Sequence, residues 1–246
     1  MMFGSLMKSA RPETHTATLH GLTLSVPDTL VTDSIVAKLA DGSYERDEAR
    51  AAMRTVKPGF RVLDLGGGIG LTANLAAERA GAANVTVVEA NPALIPVIEN
   101  NLAANGHVEA TVLHAAVSGW VPEGTTAPLT VAPGFTASSL RSKGPNTVEV
   151  PLVPITEVIR ACRPHVIFMD VEGAEADLFK RAWKCPLRFM VVELHPKKYH
   201  ARVIKRITDF MSEMDMVYDP ATSRGRLLGF RKILGGDDAP EDQTAG

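Results

Sequence analysis

Hydrophobic and polar positions divide the chain into regions with different periods. From Thr16 to Val26 they alternate about Gly21, the two-residue period of a ribbon folding back on itself, which predicts a small hairpin. Residues 29 to 40 and 45 to 56 read as short helices separated by the breaker Asp41, Gly42, Ser43. Between about 60 and 195, short apolar runs alternate with helical patterns. Val62–Leu65 precedes a helix over Leu71–Arg79, and Asn84–Glu89 precedes one over Pro92–Asn105. Val112–Val117 is a third strand, Val166–Met169 a fourth with a helix over about 173 to 183 behind it, and Leu187–Leu194 a fifth. Buried strands alternating with helices of this length predict a mostly parallel sheet covered on both faces. The stretch from Val121 to Pro154, rich in Pro, Gly, Ser and Thr, breaks the rhythm. Its runs Pro128–Val131 and Thr147–Val153 predict an inserted hairpin around a loop carrying Thr136 to Leu140. Beyond Lys197, the residues Val203, Ile207, Phe210, Met211 and Met214 share one helical face. Met216–Tyr218 and Arg226–Ile233 then predict a closing antiparallel pair at the sheet edge.

Composition narrows the class. The 246 residues are 45% hydrophobic and 22% charged, which suits one soluble domain with a sizeable core. Three parts are expected: a prelude over 1–56 packed on the core, the main domain over 57–234, and a loose acidic tail over 235–246. With 26 Lys plus Arg against 28 Asp plus Glu, there is no basic field to collect phosphates, and no nucleic-acid partner is expected. No run approaches the roughly 18 apolar residues of a membrane span. The opening Met1 to Lys8 places charge after a short apolar run, unlike a secretory signal. Two cysteines, Cys162 and Cys185, make no disulfide framework, so a cytoplasmic setting is expected.

The most informative segment runs from Val62 to Thr72. A strand that ends in clustered glycines and opens a helix lets a ligand approach the backbone, because no Cβ intervenes. Dinucleotide enzymes use G-x-G-x-x-G at this turn. Gly66 and Gly68 match its first two positions, but Leu71 stands at the third, and Asp64 would repel a pyrophosphate. The pattern present is D-x-G-x-G-x-G: Asp64, Gly66, Gly68 and Gly70. One βα unit later, Glu89 ends the second strand ahead of Ala90, Asn91 and Pro92. An acid there can accept hydrogen bonds from both hydroxyls of a ribose.

The glycine pattern is similar to the first motif of class I S-adenosylmethionine-dependent methyltransferases. That likeness implies that the turn takes the aminoacyl part of the cofactor, whose ammonium suits Asp64. The second half is more distinctive. Residues 170–175 read D-V-E-G-A-E after the fourth strand, and Val192 to Pro196 read V-E-L-H-P after the fifth. With Tyr44 and Glu45 upstream, these segments resemble the FkbM family of methyltransferases over about residues 43 to 195. One departure is at Gly67 and Gly68, where members often carry Ala then Asn. The resemblance implies an α/β, Rossmann-like class I methyltransferase fold with a mostly parallel seven-stranded sheet and helices on both faces, joined by the N-terminal and inserted hairpins. It implies S-adenosyl-L-methionine as donor and S-adenosylhomocysteine as product. The acceptor it implies is a hydroxyl of a sugar, polyketide or related small molecule. Relatives contact adenine near Ala115 and Ala116. The cofactor-binding set is thus Glu45, Asp64, Gly66, Gly68, Gly70, Glu89, Ala90, Ala116 and Asp170.

Ligands of an open parallel sheet bind outside the carboxyl ends of its strands, where Asp170, Glu172, Glu193 and His195 fall on the acceptor side. An alcohol is a feeble nucleophile, so the protein must align it with the methyl group and remove its proton. His195 can act as base, and Asp170 can accept the proton or hold the hydroxyl. Glu193 and His195 share a face if the strand continues, which would also let them bind a divalent cation with Asp170; the metal-free version is preferred because a hard cation wants more oxygen ligands. Glu175 reads as a helix-capping acid. Two competing readings are a nicotinamide-dependent oxidoreductase and a non-catalytic S-adenosylmethionine-binding protein. The acceptor's identity, a nitrogen acceptor in place of a hydroxyl, and the oligomeric state are not encoded in these patterns.

Overall fold

The computed structural model describes residues 14–132, 134, 140 and 144–234. The opening Met1–Lys8, the loop residues Thr136–Ser139 and the 235–246 tail lie outside the described residues. Strands β1 (Thr14–Leu19) and β2 (Leu22–Pro27) form the expected antiparallel hairpin, followed by helices α1 (Asp33–Ala40) and α2 (Arg46–Thr55). The central units are β3 (Val62–Leu65), α3 (Leu71–Ala80), β4 (Val85–Glu89), α4 (Ile95–Ala104) and β5 (Thr111–His114). A small sheet follows, made of β6 (Ala116–Ser118), β7 (Thr126–Thr130) and β8 (Thr147–Pro154). The chain returns through α5 (Ile155–Cys162), β9 (Val166–Met169), α6 (Glu175–Leu178) and β10 (Phe189–Glu193). It closes with α7 (Ala201–Glu213), β11 (Met216–Tyr218) and β12 (Leu227–Lys232).

The seven-stranded sheet runs β11-β12-β10-β9-β3-β4-β5, with β12 antiparallel to its neighbours and β10, β9, β3, β4 and β5 mutually parallel. Side-chain alternation along these strands splits the core in two. Val62, Val85, Val87, Val166, Phe168 and Val191 pack with α1 to α4 and the N-terminal hairpin. Leu63, Leu65, Val88, Ile167, Met169, Met190 and Val192 face α5, α6 and α7. Ser25 and Asn101 fasten the hairpin to α4: the Asn101 side chain accepts from the Ser25 amide at 2.8 Å and donates to its carbonyl at 3.1 Å.

Two expectations need correction, and one further helix is present. Val112–Val117 is two strands in different sheets. β5 stays in register with β4 until His114 stands opposite Glu89; the Ala115 amide then donates to the Glu89 carbonyl at 3.0 Å, and the chain turns to pair β6 with β8. The expected helix over 173 to 183 is one turn, Glu175–Leu178. Glu172 and Gly173 hold φ of 51° and 104°, so the chain cannot enter a helix earlier. After Leu178 it leaves the helix so that Phe179 and Trp183 pack on Phe210, with ring centroids 5.4 and 4.9 Å from it. The further helix is α5, where Ile155, Val158, Ile159 and Cys162 carry helical spacing directly after the inserted segment.

Candidate active site

The glycine turn is fixed from below and pressed from two sides. The Gly66 amide donates to the Val88 carbonyl at 2.9 Å, and the Asp170 amide donates to the Leu65 carbonyl at 2.9 Å. Gly66 has φ of 89°, and a Cβ there would lie 1.9 Å from the Asp170 carbonyl oxygen, so only glycine lets β3 and β9 end side by side. Gly68, at φ of 54°, lies under the Tyr44 and Glu45 side chains: a Cβ would sit 3.0 Å from Glu45 Oε1 and 3.1 Å from the Tyr44 hydroxyl. Glu45 itself has φ of 43° at the start of α2, a left-handed conformation that costs a non-glycine residue about 1–2 kcal/mol. It is held there by burial and by the Tyr44 hydroxyl, which hydrogen-bonds the Glu45 carboxylate.

Two clefts open at the carboxyl ends of the strands. The first holds about 780 Å³ including its open mouth. Seven of the expected cofactor residues line it: Glu45, Gly66, Gly68, Glu89, Ala90, Ala116 and Asp170. Ala115, Val117, Val88, Leu94 and Leu129 supply its apolar lining. Glu89 is buried, and its Oε1 accepts from the Asn91 amide at 2.6 Å. Burial raises its carboxyl to about 7, against the hydrogen bonds from Asn91, Gly68, Ala90 and Gly67. Asp64 and Gly70 are not on this cleft. Gly70 caps α3. Asp64 lies behind the turn in a smaller cavity that also receives Glu45, Glu48, Asp170 and Glu193. Its Oδ2 is buried with no hydrogen-bond partner among the described residues. Burial and the charge of Glu89 push its carboxyl up to about 8. Burial and the charges of Glu48, Asp64 and Glu193 raise Glu45 to about 8 as well, despite the Tyr44 hydrogen bond. Five carboxyl groups line this cavity, and one of them, Glu193, is paired with Arg226.

The second cleft adjoins the first through Glu45, Asp170 and Glu172 and is bounded by α1, the start of α2, and His195, Pro196, Lys197 and Lys198. His195 is buried at its floor. Its Nδ1 lies 3.1 Å from Glu175 Oε1, and its Nε2 lies 3.4 Å from Asp170 Oδ1 and 3.3 Å from Glu172 Oε2. Burial alone would lower the imidazole, but the Glu175 hydrogen bond and the charges of Glu175, Glu172 and Glu193 outweigh it and raise it above 6.5. Burial, with Glu193, Glu172, Glu175 and Glu45 nearby, holds the Asp170 carboxyl well above 3.8.

The strand does not continue from Glu193 to His195. The Leu194 amide pairs with the Arg226 carbonyl, and Glu193 Oε1 is bound 2.5 Å from Arg226 Nη2. Glu193 therefore contributes charge to the floor without touching the imidazole. Its place beside the ring is taken by Glu175, whose position at a helix start predicts only a cap. Its signal lay inside the D-V-E-G-A-E segment, but the contact depends on the left-handed turn at Glu172. One atom each of Asp170, Glu175 and His195 lies within 4.8 Å of the others. Asp170 and Glu175 nevertheless flank opposite ring nitrogens, and Lys198 Nζ already holds Glu172 Oε2 at 2.5 Å, so the arrangement suits proton exchange better than a shared cation.

A methyltransferase FkbM domain model matches residues 64–218. The chain belongs to the FkbM methyltransferase family. S-adenosyl-L-methionine is accordingly its cofactor, and the nicotinamide reading falls away. No curated protein matches the chain in sequence. Among solved structures, a protein from Streptococcus mutans described as a candidate SAM-dependent methyltransferase is 10% identical, with a TM-score of 0.50 over 90% of this chain and 56% of that one. A SAM-dependent O-methyltransferase from Thermotoga maritima is 15% identical, with a TM-score of 0.46 over 77% of this chain and 65% of that one. TYW2 from M. jannaschii, solved with AdoMet, is 12% identical, with a TM-score of 0.47 over 95% of this chain and 90% of that one. The FkbM chain thus spans just over half of the Streptococcus protein and about two thirds of the Thermotoga one. At such identity the Streptococcus likeness speaks to the fold alone.

The FkbM residues fit the cofactor. The small side chains of Ala115, Ala116 and Val117 leave room for a flat adenine, the buried Glu89 carboxyl can accept from ribose hydroxyls, and the acids of the adjoining Asp64 cavity suit an ammonium. Among the described residues, no helix is long and apolar enough to cross a membrane.

Proposed function

We propose that this FkbM methyltransferase transfers a methyl group from S-adenosylmethionine to a hydroxyl of a small molecule such as a sugar, polyketide or related metabolite. One observation carries the reading: His195 and Asp170 stand together where the cofactor cleft meets a second, polar cleft. The proposed cofactor ligands are Glu45, Gly66, Gly68, Glu89, Ala90, Ala116 and Asp170 on the cleft, with Asp64 acting from behind the turn and Gly70 shaping it.

When bound, S-adenosylmethionine supplies a methyl carbon activated by its sulfonium. The chain's part is alignment and proton removal. Asp170 holds the acceptor hydroxyl at the junction of the clefts. His195 Nε2 takes its proton as the new O–CH₃ bond forms and the S–CH₃ bonding pair returns to sulfur. Glu193, fixed by Arg226, adds negative charge that supports the resulting imidazolium. Because the imidazole sits above 6.5, the free base is depleted at acid pH, and turnover should rise as pH climbs through its pKa.

The test is S-adenosylhomocysteine release over a panel of hydroxylated sugars, polyketides and amines. The proposal expects turnover on a hydroxyl compound, reduced at least a hundredfold in His195→Gln with S-adenosylhomocysteine affinity preserved. Turnover confined to amines, or undiminished in His195→Gln, would refute it.

A further inference from the structure

Glu175 has no exposed surface, lines none of the clefts and belongs to a helix of only four residues. A carboxylate so enclosed needs a compensating partner, since burial of an unpaired charge costs several kcal/mol. Its Oε1 accepts from the Val171 amide at 3.3 Å and lies 3.1 Å from His195 Nδ1. The His195 backbone is fixed separately, its amide donating to the Tyr199 hydroxyl at 2.7 Å and its carbonyl accepting from the Lys198 amide at 2.8 Å. Ring and backbone are therefore both held, and the ring edge that remains, Nε2, faces Asp170 and Glu172 at the second cleft.

We infer that Glu175 is a positioning residue: its carboxylate holds the Nδ1–H of His195, so that the lone pair of the neutral ring lies on Nε2 toward the acceptor. This rests on the reading of His195 as the base. A carboxylate accepts but cannot donate, so it selects the tautomer with hydrogen on the nitrogen it faces. Without it, the neutral ring could turn its proton toward Asp170 and present no lone pair to a hydroxyl. The other charged and titratable groups facing the ring are Asp170 and Glu172 beyond Nε2, Lys198 on Glu172, Glu193 at the end of β10, and the Tyr199 hydroxyl. Glu175 differs from all of them in being fully enclosed and in contact with Nδ1.

A capping carboxylate would affect stability alone, whereas a positioning one alters the imidazole. The experiment is a pH titration of the full chain labelled with ¹⁵N-histidine, read by nitrogen–proton correlation spectra, with His195→Gln to assign the signal. In the wild type, the neutral His195 ring is expected as the Nδ1–H tautomer. In Glu175→Gln, proton affinity at His195 should fall at least tenfold, because an opposite charge within hydrogen-bond reach moves a pKa by about one unit or more. Binding of S-adenosylhomocysteine should be unchanged. A wild-type ring that is neutral as Nε2–H, or a Glu175→Gln titration superimposable on the wild type, would overturn the inference. Should Glu175→Gln fail to fold, the wild-type tautomer still decides. Undiminished turnover in His195→Gln would instead remove the base assignment, and the spectra distinguish the two failures.

Discussion

Asp64→Asn should make the empty protein more stable while making it bind its cofactor worse. The Asp64 carboxyl moves from its ordinary 3.8 to about 8 in the fold, chiefly through burial and secondly through the charge of Glu89. Below pH 3.8 both folded and unfolded chains hold the proton, and this residue costs nothing. As pH rises, the unfolded chain releases it while the folded chain keeps it, so stability falls until about pH 8. At about 1.4 kcal/mol per pKa unit, the span sets a ceiling near 6 kcal/mol. Relaxation and water penetration reduce such penalties, so about 2 kcal/mol is expected at pH 8. Asn has the same shape and no charge to bury. For a chain of this size, that corresponds to a Tm higher by roughly 4–8 °C at pH 8. The gain should shrink to less than half at pH 5. Calorimetric melting of both proteins at the two pH values, with titration calorimetry of S-adenosylhomocysteine, tests both halves. A variant less stable than wild type at pH 8, a gain equal at both pH values, or cofactor affinity weakened less than tenfold would rule out a buried Asp64 carboxyl that serves the cofactor.

Two other perturbations probe the same crevice. Glu89→Ala removes the proposed acceptor of two ribose hydroxyls, and titration calorimetry should register at least a tenfold weaker affinity, about 1.4 kcal/mol. Because burial holds Glu89 near 7 and its ionised form is the better acceptor, wild-type affinity should rise with pH through about 7, a slope the variant loses. Gly66→Ala forces a Cβ to within 1.9 Å of the Asp170 carbonyl oxygen at a φ of 89°, so the ends of β3 and β9 must separate. Strain and overpacking together should cost roughly 3 kcal/mol in denaturant melts, with cofactor binding lost even where the fold survives.

Much of this arrangement is legible from residue order, for reasons that can be named. Runs such as Val62–Leu65 and Val166–Met169 are buried on both faces, and only a parallel sheet between two helical layers accommodates that. The glycines at 66, 68 and 70 announce a turn in left-handed backbone, and Glu89 falls where the next strand must end. What is not legible depends on bends. Nothing in Val112–Val117 indicates that the run breaks at Ala115 because its partner strand ends at Glu89. Glu193 and His195 have the parity of one strand face, yet the chain turns between them and Arg226 captures Glu193. Conversely, Glu175 joins His195 only because Glu172 adopts a left-handed conformation that its residue type does not favour.

A crystal structure of the full chain with S-adenosylhomocysteine decides whether one crevice holds an adenosyl amino acid between Glu89 and the acids behind Gly66. Ribose hydroxyls are expected on the Glu89 carboxylate, adenine against Ala115 to Val117, and the amino group within hydrogen-bond reach of an acid of the Asp64 cavity. Density for the ligand elsewhere, or in the crevice with its ribose away from Glu89, would contradict this placement.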